Sequence, residues 1–428
     1  MFDGGVLWAF LAFTAISTLL AVLAYSPVRR EPFSVVTFVL AWIVAEVPVH
    51  AAVVCVAGTV VLGDAVHRHG PVWWAGGALG VAATLVYVTL GVTAHRSALL
   101  VDAALDTATG GPIVAEGVDL SPAWATWWRV VLAIPLRFGQ IRRIRNIDYA
   151  GDGLHRHKLD VLFRRTDPPS GAPVMVYIHG GAWVMGDKRE QGVPLLHELA
   201  ARGWVCVAIN YSLSPKATWP DHIVDCKRAL TWVRAHIAEY GGDPSFIAVS
   251  GGSAGGHLSA LAALTANAPE WQPGFEDADT SVDACLPFYG VHDMTGDPEA
   301  EGAYGHGLME LLEQRVMKLP YVDNTPVYAA ASPDQRITQS APPFFVVQGT
   351  NDTLVPPQVG RRFAQRLRET SGSPVAYVEL PRAQHAFDVL LSIRSRNTTL
   401  GAVRFLEGIR DRQVQSAPGR ADSGTGAH

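Results

Sequence analysis

Residues 246–258 read FIAVSGGSAGGHL, and this stretch decides the fold of the larger part of the chain. The run FIAVS is short, apolar and β-branched, which predicts a buried strand, and the apolar residues after GGSAGG predict a helix. A G-x-S-x-G sequence centred on Ser253 joins the two. Small neighbours permit the tight strand-to-helix turn that exposes a serine hydroxyl at the end of a sheet. The stretch therefore predicts a nucleophile elbow with Ser253 as the nucleophile.

Around this elbow, short β-branched runs alternate with longer mixed segments, which is typical of βαβ units on a mostly parallel sheet. Strands are predicted at 159–163, 174–178, 204–209, 246–250, 284–289, 344–348 and 375–380, and helices at about 192–202, 221–240, 254–266, 358–371 and 398–412. We expect an α/β fold over residues 141–413, with a mostly parallel sheet flanked by helices. Residues 414–428 have no apolar pattern and are expected to form a disordered tail.

A serine becomes a good nucleophile when a base accepts its proton, and behind this kind of elbow the acid and then the base follow the serine along the chain. Only His385 and His428 come after Asp352, and His428 lies in the tail. His385 is thus the candidate base by elimination. Asp352 is the one acidic residue directly after a predicted buried strand, so it is the candidate for orienting the imidazole.

Acyl transfer also requires hydrogen-bond donors that point at the developing oxyanion. The sequence His179-Gly-Gly-Ala-Trp183 follows an early predicted strand, and glycines there allow backbone N–H groups to approach a substrate closely. We predict Gly180, Gly181 and Ala254 as donors, and we expect His179 to orient the loop through hydrogen bonds. The alternative is an ordinary glycine-rich turn.

The N-terminal region, residues 1–96, is predicted to cross a membrane with about three helices. Residues 5–25 and 72–92 carry no charged side chain and are each long enough to span about 30 Å of hydrocarbon. The apolar stretch 33–63 is longer than one upright helix needs, so it either tilts or kinks at Pro48, or forms a broken helix. A cleaved signal peptide is the alternative for the first stretch, but it lacks a basic leader and further apolar spans follow.

Two ionisable residues, Glu46 and His50, lie four positions apart inside the middle stretch. A charged group is costly at that depth unless it is paired, so a ligand or proton role is one interpretation. The other is that they satisfy each other or backbone carbonyls within the bundle, or that they lie near an interface at a helix break. Three helices without an internal repeat disfavour a transporter.

The segment 97–140 is predicted as a linker containing a Trp- and Arg-rich stretch, 122–138, that lies at the membrane interface or forms an amphipathic helix capping the soluble part. Arg29 and Arg30 in the first loop mark the cytoplasmic side. We therefore expect a multi-pass membrane protein whose C-terminal domain lies in the cytoplasm.

Composition and charge exclude several classes of function. The net charge is −5, which leaves no large basic surface, and no nucleic-acid-binding module is present. Neither GxxxxGK[ST] nor a dinucleotide-binding GxGxxG with its acidic residue occurs. The four cysteines are far apart and lie in apolar segments, so they favour neither a disulfide framework nor a metal site. No metal or organic cofactor is expected.

Six motifs carry a resemblance to a known family: HGGAWVMGDK (179–188), NYSLSP (210–215), GGDPSFIAVSGGSAGGHL (241–258), YGVHD (289–293), GTNDTLVP (349–356) and AQHAF (383–387). With them, the region 145–412 resembles α/β-hydrolase carboxylesterases of the hormone-sensitive-lipase-like group and the related alkylformamidase-type enzymes. The resemblance implies that Trp183 and Tyr211 line the substrate pocket and that Asp243 and Asp293 are structural.

The chain departs from the lipase-like pattern at two positions. Gly252 stands where an acidic residue usually precedes the nucleophile, and Ala182 stands where a third glycine is usual. The family's soluble N-terminal cap is also missing, and we expect residues 97–140 and the insertion around 297–325 to replace it.

Together these observations predict a membrane-anchored serine hydrolase that cleaves carboxylic esters through an acyl-serine intermediate. The expected substrates are lipid-like or short-to-medium acyl esters, and the expected partners are the ester and membrane lipid, without nucleic acid. An amide or formamide hydrolase and a deacylase of lipidated or prenylated targets could use the same residues. An alternative of another class is a catalytically silent hydrolase fold that serves as a receptor or scaffold. The oligomeric state is left open.

Overall fold

Four helices precede the sheet in the computed structural model, which describes residues 4–66, 70–111, 139–296 and 307–416. They are α1 (Gly4–Tyr25), α2 (Phe33–Glu46), α3 (Pro48–Ala65) and α4 (Pro71–Thr109). Among the described residues, three helical segments are long and apolar enough to cross a membrane: Gly5–Tyr25, Pro48–Ala65 and Pro71–Thr109.

The stretch 33–63 forms a broken helix, which was one of the three arrangements left open by its length. The break lies at Val47 (φ −119°, ψ 51°), directly before Pro48. Proline cannot donate the hydrogen bond that would continue the preceding helix, and its ring disfavours the helical conformation of the residue before it. The helix α2 is therefore a separate 14-residue element.

One eight-stranded sheet organises the rest of the chain. Its strands are β1 (Ile141–Asp148), β2 (Lys158–Arg164), β3 (Ala172–Ile178), β4 (Val205–Ile209), β5 (Gly242–Gly252), β6 (Ala284–Phe288), β7 (Phe344–Gly349) and β8 (Val375–Leu380). They are ordered β1-β2-β4-β3-β5-β6-β7-β8, and only the two pairings of β2 are antiparallel. The predicted α/β class with a mostly parallel sheet is confirmed.

Helices cover both faces of this sheet: α5 (Val193–Ala201), α6 (Asp221–His236), α7 (Ala254–Leu264), α8 (Gly307–Leu311), α9 (Tyr321–Ala331), α10 (Pro357–Thr370) and α11 (Ile393–Ser416). Alternate side chains of β3 point to opposite faces, as the pleat of a strand requires. Val176 belongs to the core under α6 and α7, whereas Met175 belongs to the core under α5 and α11.

The helix α4 also contributes to the hydrolase core, because Val101 and Leu105 belong to the same buried cluster as residues of α5 and α11. The prediction of a linker beginning at residue 97 is therefore wrong for residues 97–109, which continue the helix. Likewise, α11 extends to Ser416, so the first residues of the expected tail are helical. The stretch 122–138, the first part of the insertion (297–306) and residues 417–428 lie outside the described residues.

Candidate active site

The turn around Ser253 has the strained geometry of a nucleophile elbow. The strand β5 ends at Gly252 and α7 begins at Ala254, which leaves Ser253 alone at φ 57° and ψ −122°. A Cβ atom on Gly255 would lie 2.1 Å from the carbonyl oxygen of Ile178, so the close approach of α7 to β3 requires glycine there. Strain of this kind persists only where the surrounding structure enforces it. Ser253 itself is half-buried.

Asp352 and His385 meet at the same edge of the sheet. Asp352 follows β7 and His385 follows β8, and neighbouring parallel strands end on one side. His385 Nδ1 donates to Asp352 Oδ2 over 2.7 Å, and both side chains are buried. The backbone N–H groups of Leu354 and Val355 donate to Asp352 Oδ1 over 2.9 and 2.8 Å. These bonds fix the carboxylate, which in turn fixes the orientation of the imidazole.

The side chain of Gln384 links the two loops. Its Oε1 accepts hydrogen bonds of 2.8 Å from the backbone N–H groups of Thr353 and His385. On one side of the His385 imidazole lies the ring of Tyr289, with 4.6 Å between the ring centroids. Neither contact was predicted: Tyr289 and Gln384 stand in the motifs YGVHD and AQHAF, but a motif does not say which of its residues support the base.

The loop after β3 corrects the assignment of one oxyanion donor. The backbone N–H of Gly180 donates to Gln191 Oε1 over 2.7 Å, so it does not point at a substrate. Glycine is needed here for another reason, since a Cβ atom would lie 2.5 Å from Gly252 O and 3.1 Å from Ser253 Cβ. The next residue, Gly181, has φ +118°, and Ala182 also has a positive φ of +53°. The sequence offered no signal for Gln191, which is eleven positions away.

His179 is buried and fixes the position of this loop through a hydrogen bond and a ring contact. Its ring stacks on Tyr211 with centroids 4.5 Å apart, and Nδ1 donates to Gly180 O over 2.7 Å. The Tyr211 hydroxyl donates to His179 O over 3.1 Å. Burial lowers the pKa of His179 to about 4, so the imidazole is neutral near pH 7. Its geometry suits orientation of the loop rather than proton transfer.

The two residues expected to line the pocket are buried. Trp183 is 1% exposed and Tyr211 is 0% exposed. The Trp183 indole donates to His257 Nδ1 over 3.2 Å, and burial lowers the pKa of His257 to about 4, which leaves that nitrogen free to accept. Both aromatic residues support the glycine-rich loop from within the core, and the expectation that they line the pocket is wrong.

The comparisons with known proteins agree with this architecture. Residues 159–367 match the BD-FAE family model. The whole chain is similar to the probable carboxylic ester hydrolase LipM of Mycobacterium tuberculosis, with 42% identity over 96% of each chain.

The chain belongs to the α/β-hydrolase carboxylic ester hydrolases.

This ester hydrolase is also similar to esterase LipQ of the same organism, with 48% identity over 63% of each chain. The crystal structure of esterase B from Lactobacillus rhamnosis shares the fold, with a TM-score of 0.56 and 20% identity over 66% of this chain and 89% of that one. These relatives establish the chain as an enzyme acting on carboxylic esters. Within the described ranges, no group of three or more His, Cys, Asp or Glu side chains could hold a metal ion.

Proposed function

We propose that this enzyme cleaves carboxylic esters through an acyl-serine intermediate, with Ser253, His385 and Asp352 as its catalytic triad. The observation that carries the proposal is the 2.7 Å hydrogen bond between His385 and Asp352, at the sheet edge where the Ser253 elbow lies. A serine hydroxyl is activated when a histidine accepts its proton, and a buried carboxylate keeps that histidine in the required orientation.

In the first half of the reaction, Ser253 Oγ attacks the ester carbonyl carbon while His385 Nε2 accepts the serine proton. The carbonyl oxygen becomes an oxyanion, which the N–H groups of Gly181 and Ala254 stabilise. The intermediate then collapses: the bond between the acyl carbon and the leaving oxygen breaks, and His385 donates its proton to that oxygen, which leaves as the alcohol.

In the second half, water replaces the alcohol. The water oxygen attacks the acyl carbon while His385 accepts a proton from the water. His385 then donates this proton to Ser253 Oγ as the carboxylic acid leaves. Asp352 holds the imidazole in the tautomer that leaves Nε2 able to accept, and it stabilises the imidazolium that forms twice in each cycle.

We further propose that α1, α3 and α4 cross the membrane and that the hydrolase part lies in the cytoplasm. Contacts of the helices support this arrangement, because the end of α1 and the start of α3 both lie on the side of the helical region that faces the hydrolase. Asn351 donates to the carbonyl oxygen of Ala24 over 2.9 Å, and a Cβ atom on Gly91 would lie 3.9 Å from Pro48. Arg29 and Arg30, in the loop after α1, then fall on the cytoplasmic side.

The outer faces of the helical region favour lipid-like esters as substrates. Large apolar side chains are exposed along all the candidate spans, including Trp8, Val53 and Leu85. A continuous apolar surface of this kind needs lipid to cover it. An enzyme held in the bilayer meets esters that partition into it at high local concentration.

The test of the triad is fluorophosphonate labelling of membranes containing the full-length protein. We expect labelling in the wild type and its complete loss in Ser253→Ala, while Ser245→Ala, which changes an exposed serine on β5, is labelled like the wild type. Labelling of Ser253→Ala would show that another residue is the nucleophile and would overturn the proposal. No labelling of folded wild-type protein would also overturn it and would favour a silent scaffold.

The same membranes define the substrate. Hydrolysis of p-nitrophenyl esters from acetate to palmitate, beside the matching p-nitroanilides, measures the acyl-length optimum and the preference for esters over amides. We expect the rate of ester hydrolysis to be highest for medium or long acyl chains, and we expect the p-nitroanilides to be hydrolysed slowly. Equal rates on esters and anilides would favour the amide-hydrolase alternative.

A further inference from the structure

The short helix α2 lies across both loops that carry the proposed base and acid. Four of its residues face the hydrolase: Ser34, Phe38, Trp42 and Glu46. They are spaced by four positions, which places them in one row along one face of a helix. Every one of these four residues contacts the segment that begins after β7 and ends in α11, as the following distances show.

The first contact is with the loop of the acid. Thr353, the neighbour of Asp352, donates from Oγ1 to Ser34 O over 3.0 Å. On the other side of Asp352, Asn351 donates to the carbonyl oxygens of Ala24 and Tyr25 over 2.9 and 3.1 Å. The loop that carries Asp352 is thus tied to the helical region at both neighbouring residues.

The next two contacts are with the base. The ring of Phe38 lies edge-on to the His385 imidazole, with 6.1 Å between centroids, a favourable separation for aromatic rings. The Trp42 indole donates to the carbonyl oxygen of Ala386 over 2.9 Å. Ala386 follows His385 directly and has a positive φ of +56°, a conformation that needs such support.

The fourth contact anchors the end of α2. Glu46 accepts a hydrogen bond from Ser392 Oγ over 2.9 Å and forms an ion pair with Arg394 over 3.2 Å. Both charged side chains are fully buried. The sequence left open a ligand or proton role for Glu46, pairing inside the bundle, or a place near an interface at a helix break. The partner of Glu46 is a residue of the hydrolase part.

The opposite face of α2 is apolar and exposed, with Val39 and Ile43 more than half accessible. A helix of 14 residues extends about 21 Å, which is shorter than the hydrocarbon layer of about 30 Å. The helix therefore lies between lipid and the catalytic loops, with one face toward each.

We propose that α2 is a working part of the catalytic centre, in which Phe38 and Trp42 are positioning residues for His385. This inference rests on the proposed function, because it assigns the support of the proposed base. Phe38 contacts the imidazole, as the core-derived Tyr289 also does, and Trp42 fixes the backbone that follows His385. The helical region then both anchors the enzyme and helps to hold the His385 imidazole in its orientation.

The test uses the full-length protein in membranes, a short p-nitrophenyl ester and fluorophosphonate labelling rates. Trp42→Phe removes the donor while keeping an aromatic ring, and Phe38→Leu removes the ring while keeping apolar bulk. We expect each to lower kcat and the labelling rate by about three- to ten-fold, as loss of one ordered contact would, with KM within about two-fold of the wild type. The matched controls are Val39→Ala and Ile43→Ala on the exposed face of the same helix, for which we expect wild-type kcat.

The thermal midpoint of each variant separates positioning from folding. A lower midpoint with an unchanged labelling rate per folded molecule would overturn the proposal, as would an equal loss of kcat in the exposed-face controls. The proposed function fails separately. If Ser253→Ala keeps full activity the triad is wrong, whereas wild-type kcat in Trp42→Phe and Phe38→Leu alongside an inactive Ser253→Ala refutes only the role of α2.

Discussion

At the residue scale, the carboxylate of Asp352 has a partner for each oxygen atom. Oδ1 accepts from two backbone N–H groups, and Oδ2 accepts from His385 and from Gln348 Nε2 at 3.0 Å. An amide at this position could keep the shape but would present a donor or a neutral acceptor to His385. The imidazole would then be held in the wrong tautomer for taking the serine proton.

We therefore expect Asp352→Asn to lower kcat by about 10⁴-fold with little change in thermal midpoint, because geometry is kept and basicity at Nε2 is lost. Steady-state hydrolysis of a p-nitrophenyl ester measures this. Asp243→Asn is the control, since Asp243 accepts hydrogen bonds only from Ser245 among the contacts described for it, and it should keep wild-type kcat. A loss below about 10-fold in Asp352→Asn would contradict the assignment.

The pair Gly180 and Gln191 yields a second prediction. Gln191→Ala leaves the Gly180 N–H without its partner, and we expect kcat to fall by about three- to ten-fold as the loop loses one hydrogen bond. Gly180→Ala places a Cβ atom 2.5 Å from Gly252 O, so it should displace the elbow and abolish measurable activity. Gly139 is exposed, has no positive φ and has open space around an added Cβ atom, so Gly139→Ala is the control and should keep wild-type kcat. An active Gly180→Ala enzyme would show that the loop is not held as described.

These residues also show what the sequence can predict. The proposed serine, acid and base follow from a motif and from the order of residues along the chain. The use of the Gly180 N–H and the burial of Trp183 and Tyr211 depend on residues that come close only through folding. The pattern of residue types along the chain does not say which distant residues come into contact in the folded protein.

At the element scale, the predicted strands were the continuous apolar runs, and β1 was missed for a physical reason. It reads IRRIRNID and pairs only with β2 at the edge of the sheet, so several of its side chains reach solvent. An edge strand can carry arginines, which remove the apolar signal used for detection. The break at Val47 was foreseeable from Pro48, whereas the packing of α2 on the loops of Asp352 and His385 was not.

A pH-dependent contact ties β2 to α6. His157, which precedes β2, lies with Nε2 3.2 Å from Asp225 Oδ2, and this hydrogen bond, together with a second one between Nδ1 and Asp152, raises the pKa of His157 to about 9. Below the unfolded pKa of about 6.5 both states are protonated, and the ion pair contributes fully to stability. As pH rises through about 9, the folded state also loses the proton, and the contribution disappears.

The expected outcome is a wild-type advantage over His157→Asn that is largest at about pH 6 and vanishes by about pH 10. The thermal midpoint of esterase inactivation, measured across this range, provides the comparison. His236→Asn, which removes an exposed histidine on α6, should track the wild type at every pH. A gap that grows with pH would mean that the neutral imidazole is the stabilising form.

At the scale of the whole molecule, α4 belongs to both parts of the protein. Its first half packs against α1 and α3, where Tyr87 donates to Ser17 O over 2.8 Å. Its second half covers the sheet together with α11, where Asn397 donates to Ser97 Oγ over 3.0 Å. Because α4 packs in both parts, it fixes the bundle relative to the hydrolase. The orientation of α2 over the loops of Asp352 and His385 therefore does not depend on the contacts of α2 alone.

Leu105 and Leu99 on α4 test this sharing, because they differ in exposure on one helix. Leu105 is 2% exposed and packs in the hydrolase core, whereas Leu99 is 71% exposed. Leu105→Ala should leave a cavity that costs about 2–5 kcal/mol of unfolding free energy, and Leu99→Ala should cost almost nothing. The thermal midpoints of the full-length proteins in one detergent measure the difference. If α4 were an anchor that does not pack in the esterase core, neither substitution would change the stability of that core, and both variants would have the wild-type thermal midpoint.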